Sequence, residues 1–190
     1  MTGWDDSLAA RDQSNWEICK SEADALLSRL PGRAIGVRVA DCAALLLACP
    51  HTGAVAAVHA GWRGVVAGVV PAAIREMLGD GSDPAARSTG TIIAAIGPGI
   101  GGEAFEVGPD VLAEFRRAFG ADAPVRGRAD GKGWVDLRAA VRRQLVAAGV
   151  GTDHVDSTDR CTYRDAGEFF SHRRENGVTG RMAAIISPGV

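Results

Sequence analysis

The sequence predicts an α/β fold, a mixed αβ sandwich in a single domain whose mixed sheet is flanked by helices. Short apolar runs bounded by turn residues recur between Ala34 and Ile96, the mark of buried strands. Two longer stretches, near Ile74 and near Val141, carry their apolar residues at helical spacing. The chain has 190 residues and 46% apolar content, enough for one sizeable core, and no low-complexity linker or repeat divides it.

Residues 22–30 (EADALLSRL) form a short ordered stretch closed by the Pro31-Gly32 turn. Runs 34–39, 45–49 and 54–58 read as buried strands, with Pro50, Thr52 and Gly53 making a hairpin turn before the third. Over 64–78 the residues Val65, Val66, Val69, Val70, Ile74, Met77 and Leu78 predict one helix. Pro71 argues against an unbroken one, because an interior proline removes a hydrogen bond. Residues 79–89 form a loop rich in Gly, Ser, Asp and Pro, and 92–96 is a further buried strand. A helix over 109–119 starts on Pro109, where a missing N–H costs nothing. A polar loop over 121–133 leads to a second helix over 137–148, apolar along Leu137, Val141, Leu145 and Ala148 and ended by Gly149. Val155, Thr162-Tyr163 and 182–186 are weaker strand candidates.

Charge narrows the function. With 21 basic against 23 acidic residues the chain lacks the basic footprint of a nucleic-acid binder. No apolar run reaches the roughly 18 residues of a membrane span, and the start carries no apolar signal core. Cys19, Cys42, Cys49 and Cys161 are scattered without a C-x-x-C pair, as expected of reduced thiols in a cytoplasmic protein. A small-molecule ligand, rather than nucleic acid or membrane, is the expected partner.

The strongest chemical signal is Ala40-Asp41-Cys42 followed 17 residues later by His59-Ala60-Gly61-Trp62-Arg63-Gly64. Both lie at strand ends, and neighbouring strands are about 4.8 Å apart, so thiol and imidazole can meet. Such a pair serves as half of a zinc or copper site, as a nucleophile with its base, or as a cysteine and histidine buried together. Arg63 offers a fixed cation suited to phosphate or carboxylate. Gly97, Gly99 and Gly102 satisfy G-x-G-x-x-G in form, but Pro98 and Pro109 delay the helix that a dinucleotide site requires. The run is better read as a turn that admits a ligand to the backbone, with Glu106 nearby. Phe169, Phe170, Ser171, His172, Arg173 and Arg174 could stack a ring and hold an anion. His51 and His154 sit in turn contexts and read as surface residues.

These motifs, ADC, HAGWRG, IGPGIG with AFEVG, DRCTY, FFSHRR and TGRMAAII in that order, resemble the YfiH-like family, also called the laccase-domain or multicopper polyphenol oxidase family. The resemblance covers roughly residues 22–187. It divides the chain into a divergent N-terminal segment at 1–21 and a laccase-domain αβ unit at 22–190. It implies a cytoplasmic enzyme of purine nucleoside phosphorolysis, acting on adenosine, inosine or methylthioadenosine with phosphate, or of adenosine deamination. It further implies zinc, with copper as the alternative, held by Cys42 and His59 and a histidine from an upstream Gln-x-His-Gly motif. That motif is missing: the nearest match is Gln13-Ser14-Asn15-Trp16, so the chain reads as truncated or divergent.

The resemblance therefore places Cys42, His59 and Arg63 at the catalytic centre, with Phe105, Glu106, Phe170 and Arg173 around the substrate. Three alternatives stand beside it. The first is a metal-free Cys–His hydrolase or amidase. The second is a copper polyphenol oxidase, for which the four histidines, 51, 59, 154 and 172, supply too few ligands. The third is a nucleoside-binding member impaired by the missing histidine.

Overall fold

The computed structural model describes residues 23–79 and 91–189. Its centre is a five-stranded mixed sheet in the order β1, β4, β3, β5, β9, built from β1 (Ala25–Ser28), β3 (Ala43–Cys49), β4 (Ala54–Ala60), β5 (Ile93–Ile96) and β9 (Val155–Ser157). Only the β5–β9 pairing is parallel. β2 (Ile35–Val39) leaves this sheet and pairs instead with β10 (Met182–Ile186) in an antiparallel ribbon. A third sheet is made of β6 (Glu106–Val107), β7 (Val125–Gly127) and β8 (Gly133–Val135), ordered β6-β8-β7.

Strand periodicity sorts the core. Leu45, Leu47 and Cys49 on β3 and Ala54, Ala56, Val58 and Ala60 on β4 face one way and are almost wholly buried. Against them pack α2 (Val69–Leu78), α3 (Pro109–Phe119) and α4 (Leu137–Ala147), through residues such as Ile74, Met77, Phe115 and Leu145. α3 and α4 begin within a residue of their sequence expectation. Pro109 opens α3, and the Asp136 side chain caps α4 by accepting from the Ala139 N–H at 2.9 Å. On the other face Ala184 of the ribbon lines an open cleft together with Ala44 and Leu46 of β3. Among the described residues no helix is long and apolar enough to cross a membrane.

The structure corrects three expectations. Residues 64–78 are not one helix: α1 (Trp62–Val66) stops and α2 restarts after Gly68, whose φ of +85° turns the chain in a left-handed conformation. That break resolves the proline, because Pro71 falls in the first turn of α2, where no N–H donor is needed. The polar stretch 121–133 is not a plain loop. It holds β7 and the turn into β8, closed by the Arg128 N–H on the Lys132 carbonyl at 2.7 Å. A solvated hairpin needs few apolar residues, so hydrophobic patterning does not reveal it. Thr162-Tyr163 is not a strand either: the pairing there is one isolated bridge between Gly99 and Cys161. The expected loop at 79–89 and the segment at 1–21 lie outside the described residues, except for Gly79.

Candidate functional site

Strand register assembles the site. Ala44 pairs with His59 and Ala43 with Ala60, so Cys42, just before β3, comes level with Gly61, just after β4. On the other side of β4, Ala25 pairs with Val58, which brings Asp24 opposite His59. The His59 N–H donates to the Asp24 carbonyl at 2.7 Å, and His59 Nδ1 lies 2.9 Å from Asp24 Oδ1. With Nδ1 engaged, the other side of the ring is left toward Cys42, whose Sγ gathers with His59 Cε1 and Nε2 around Gly61. The result is a carboxylate, an imidazole and a thiol in sequence, all half-buried or partly exposed.

This environment raises the His59 pKa to about 9. The hydrogen bond to Cys42 is the largest cause, burial works against it, and Asp24 adds to it.

Glycines in the HAGWRG motif make room for the row. A Cβ on Gly61 would lie 3.2 Å from Cys42 Sγ and 3.5 Å from His59 Nε2. One on Gly64 would lie 3.3 Å from Asp24 Oδ2. Gly61→Ala is therefore expected to displace the pair and lower turnover by about 10- to 100-fold. Its φ of −74° suits any residue, so unfolding free energy should change by less than about 1 kcal/mol. Steady-state rates set beside a urea melt check both halves of that expectation.

Arg63 follows in α1, exposed, with its guanidinium 4.6 Å from the Trp62 ring centroid. It makes no ion pair among the described residues. On the sheet face that carries His59, an open cleft of about 640 Å³ is floored by Ala44, Leu46, Ala95 and Gly97 and rimmed by Thr158 and Asp159. Ala44 is the register partner of His59, but Cys42, His59 and Arg63 are not among the residues that line the cleft.

The other expected substrate residues divide. Arg173 joins Phe105 and Glu106: its guanidinium is 5.5 Å from the Phe105 ring centroid and donates to the Glu106 carbonyl at 2.7 Å. Its backbone N–H donates to Asp41 Oδ2 at 2.7 Å, which ties this group to the residue before Cys42. The Glu106 carboxylate is taken by Arg128 at 2.7 Å. Phe170 is apart, 48% exposed with its ring against Gly180. None of these four lines the cleft. Arg174 holds the carbonyls of Thr162, Tyr163 and Phe169, which leaves it a structural rather than an anion-binding part. His172 lies beside Gly177.

The glycine run behaves as a close-packing turn. A Cβ on Gly99 would sit 3.1 Å from the Asp41 carbonyl oxygen, and the next helix waits until Pro109.

Two residues that matter here were not singled out from the sequence, Asp24 and Asp41. Asp24 stands in EADAL, 35 residues from His59, and only the β1–β4 register joins them. Asp41 was visible as the middle of ADC, but its own chemistry is set by partners more than a hundred residues away.

Cys42 and His59 are donors of the kind zinc or copper takes, and a carboxylate on the far ring nitrogen is how metal-bound imidazoles are held. Among the described residues, however, no three His, Cys, Asp or Glu side chains form a group that could hold a metal. The described residues thus do not complete a catalytic zinc site, which uses three protein ligands. Asn15, the expected stand-in for the third, lies outside them.

A family model described as multi-copper polyphenol oxidoreductase laccase matches residues 5–188. A protein named purine nucleoside phosphorylase from Deinococcus radiodurans is 42% identical over 165 residues, covering 87% of this chain and 61% of that protein. One named adenosine deaminase RL5, from an unknown prokaryotic organism, is 40% identical over 179 residues, covering 93% and 66%. The crystal structure of YlmD from Geobacillus stearothermophilus superposes with a TM-score of 0.79 at 33% identity, covering 89% of this chain and 62% of that one. The chain thus spans less than two thirds of the length of each of these relatives.

Proposed function

This chain belongs to the multi-copper polyphenol oxidoreductase laccase family, and on that premise we propose that it is a cytoplasmic purine nucleoside phosphorylase with Cys42 and His59 as its working centre. The observation that carries the reading is the Asp24–His59–Cys42 row, on the same sheet face as an open cleft. The names borne by its relatives, purine nucleoside phosphorylase and in one case adenosine deaminase, support a purine nucleoside as the substrate. The cleft volume falls within the range of small-molecule sites, about 300–1,000 Å³. The three described cysteines are free thiols, in keeping with a reducing compartment.

In phosphorolysis an oxygen of phosphate bonds to ribose C1′ while the C1′–N9 bond breaks, and the purine leaves with the electron pair and takes up a proton. Little covalent work falls to the protein, so placement and charge carry most of the rate. Asp24 holds the His59 ring through Nδ1 and so fixes the ring beside Cys42. Arg63, stacked on Trp62 and without a carboxylate partner among the described residues, holds the phosphate. Arg173, with Phe105 and Glu106, supports the ribose from the Asp41 turn, and Phe170 serves as an outlying wall. Adenosine, inosine and methylthioadenosine are the nucleosides to try.

Zinc, with copper second, is the metal proposed for the Cys42–His59 pair. Two donors should hold it weakly: dialysis against EDTA is expected to leave well under one zinc per chain by elemental analysis. Asp24→Asn should loosen it by about 10- to 100-fold more.

The same row favours one second reading, a metal-free cysteine hydrolase in which His59 serves Cys42 and Asp24 orients His59. Phosphate decides between them. Release of adenine or hypoxanthine that requires phosphate and disappears in Cys42→Ala supports the phosphorylase; no product above the Cys42→Ala control overturns it. Inosine binding by calorimetry without turnover identifies a binding-only member.

A further inference from the structure

We propose that Asp41 is the positioning residue of the Cys42–His59 pair, its carboxylate clamping the turn that delivers the thiol; the inference rests on reading that pair as the working centre.

The turn is made at a cost. Chain leaving β2 in the ribbon must reverse into β3 of the central sheet within Ala40, Asp41 and Cys42. Asp41 does so at φ +82°, and Asn176 is the only other non-glycine residue with positive φ among the described residues. Glycine would adopt that conformation freely, whereas an L side chain there is strained. A strained residue points to a function for what it carries.

What it carries is a buried carboxylate, 8% exposed, with each oxygen met by a donor. Oδ1 accepts from Thr162 Oγ1 at 2.6 Å. Oδ2 accepts from Ser171 Oγ at 3.0 Å and from the Arg173 N–H at 2.7 Å. Thr162 and Ser171 are fully buried. Ser171 Oγ in turn accepts the Arg174 N–H at 3.1 Å, which leaves its hydroxyl proton for Asp41. The Asp41 carbonyl accepts the Ile100 N–H at 2.8 Å. Three segments that are remote in sequence therefore converge on the residue bonded to Cys42.

An amide replaces this acceptor only in part. At Oδ2 an Asn amino group would face the Arg173 N–H, donor against donor. Turned the other way, it can donate to Thr162 Oγ1, a hydroxyl that also accepts, but the Thr162 proton then loses the carboxylate as its acceptor.

Asp41→Gly separates clamp from strain, since it relieves φ while deleting the carboxylate. The variant is expected to fold, with kcat for inosine phosphorolysis down about tenfold or more and KM within about threefold. Asp41→Asn, which tolerates positive φ, should fall between it and wild type. A second readout needs no substrate: in the EDTA-treated full chain, iodoacetamide alkylation of Cys42, followed by peptide mass spectrometry with buried Cys49 as internal reference, should slow by about threefold or more. Ser171→Ala, which leaves the backbone alone, should shift both readouts in the same direction by less. Asp41→Gly with kcat and alkylation within about twofold of wild type overturns the inference. So does a lowered thermal midpoint with unchanged alkylation, which marks a role in folding alone. Slower alkylation in a chain whose wild type releases no purine leaves the inference standing and removes the phosphorylase reading instead.

Discussion

Replacing His59 by alanine is expected to lower kcat/KM for phosphorolysis by about 10²- to 10⁴-fold, the range over which a positioned proton-carrying side chain contributes. His59 is the middle of the row, so its loss separates Asp24 from Cys42 as well as removing the ring itself. Both partners stay in place on neighbouring strands, and the ring is only half-buried, so the chain should remain folded. Initial rates against inosine concentration at fixed phosphate, set beside a thermal melt, separate the two effects. A rate within about threefold of wild type would remove His59 from the mechanism.

Phe115→Ala carries the largest expected cost to the fold. Phe115 is fully buried on α3, stacked on Phe119 with ring centroids 5.9 Å apart, and joins the cluster that includes Leu45, Leu145 and Val135. Truncating it leaves a cavity that rigid strands and helices cannot close, at about 3–5 kcal/mol. Urea unfolding should show this as a lower midpoint at unchanged slope. None of the residues assigned to the centre lies on α3, so the folded variant should turn over at close to the wild-type rate.

Fold and site were legible to different depths for physical reasons. Residues 45–49 and 54–58 declared themselves because each is a continuous apolar run, as strands covered on both faces are, with turn residues between them. Pro109 and Gly149 marked helix ends through backbone chemistry that does not depend on the rest of the fold. The break at Gly68 was hidden, since apolar spacing continues across it while the backbone does not. β7 was hidden because a hairpin open to water needs no apolar pattern. Cys42 and His59 could be paired because each sits at the end of a recognisable strand. Asp24 could not, because its place opposite His59 depends on the order in which β1 joins the sheet, which local sequence does not encode. The FFSHRR segment was legible as unusual, but its bonds to Asp41 were not. Ser171 and the Arg173 backbone N–H hold Asp41, and Arg174 gathers carbonyls, partners that lie far away in sequence.

The central claim, that Cys42 beside His59 is where phosphorolysis takes place, is tested most directly by titrating the protein with iodoacetamide. Residual phosphate-dependent hypoxanthine release is followed together with the fraction of Cys42 modified. The account predicts that activity falls in proportion to Cys42 modification and reaches zero when Cys42 is fully modified, whatever the labelling of Cys19, with Cys49 and Cys161, both buried, still unmodified. Full activity in protein whose Cys42 is completely alkylated would contradict it.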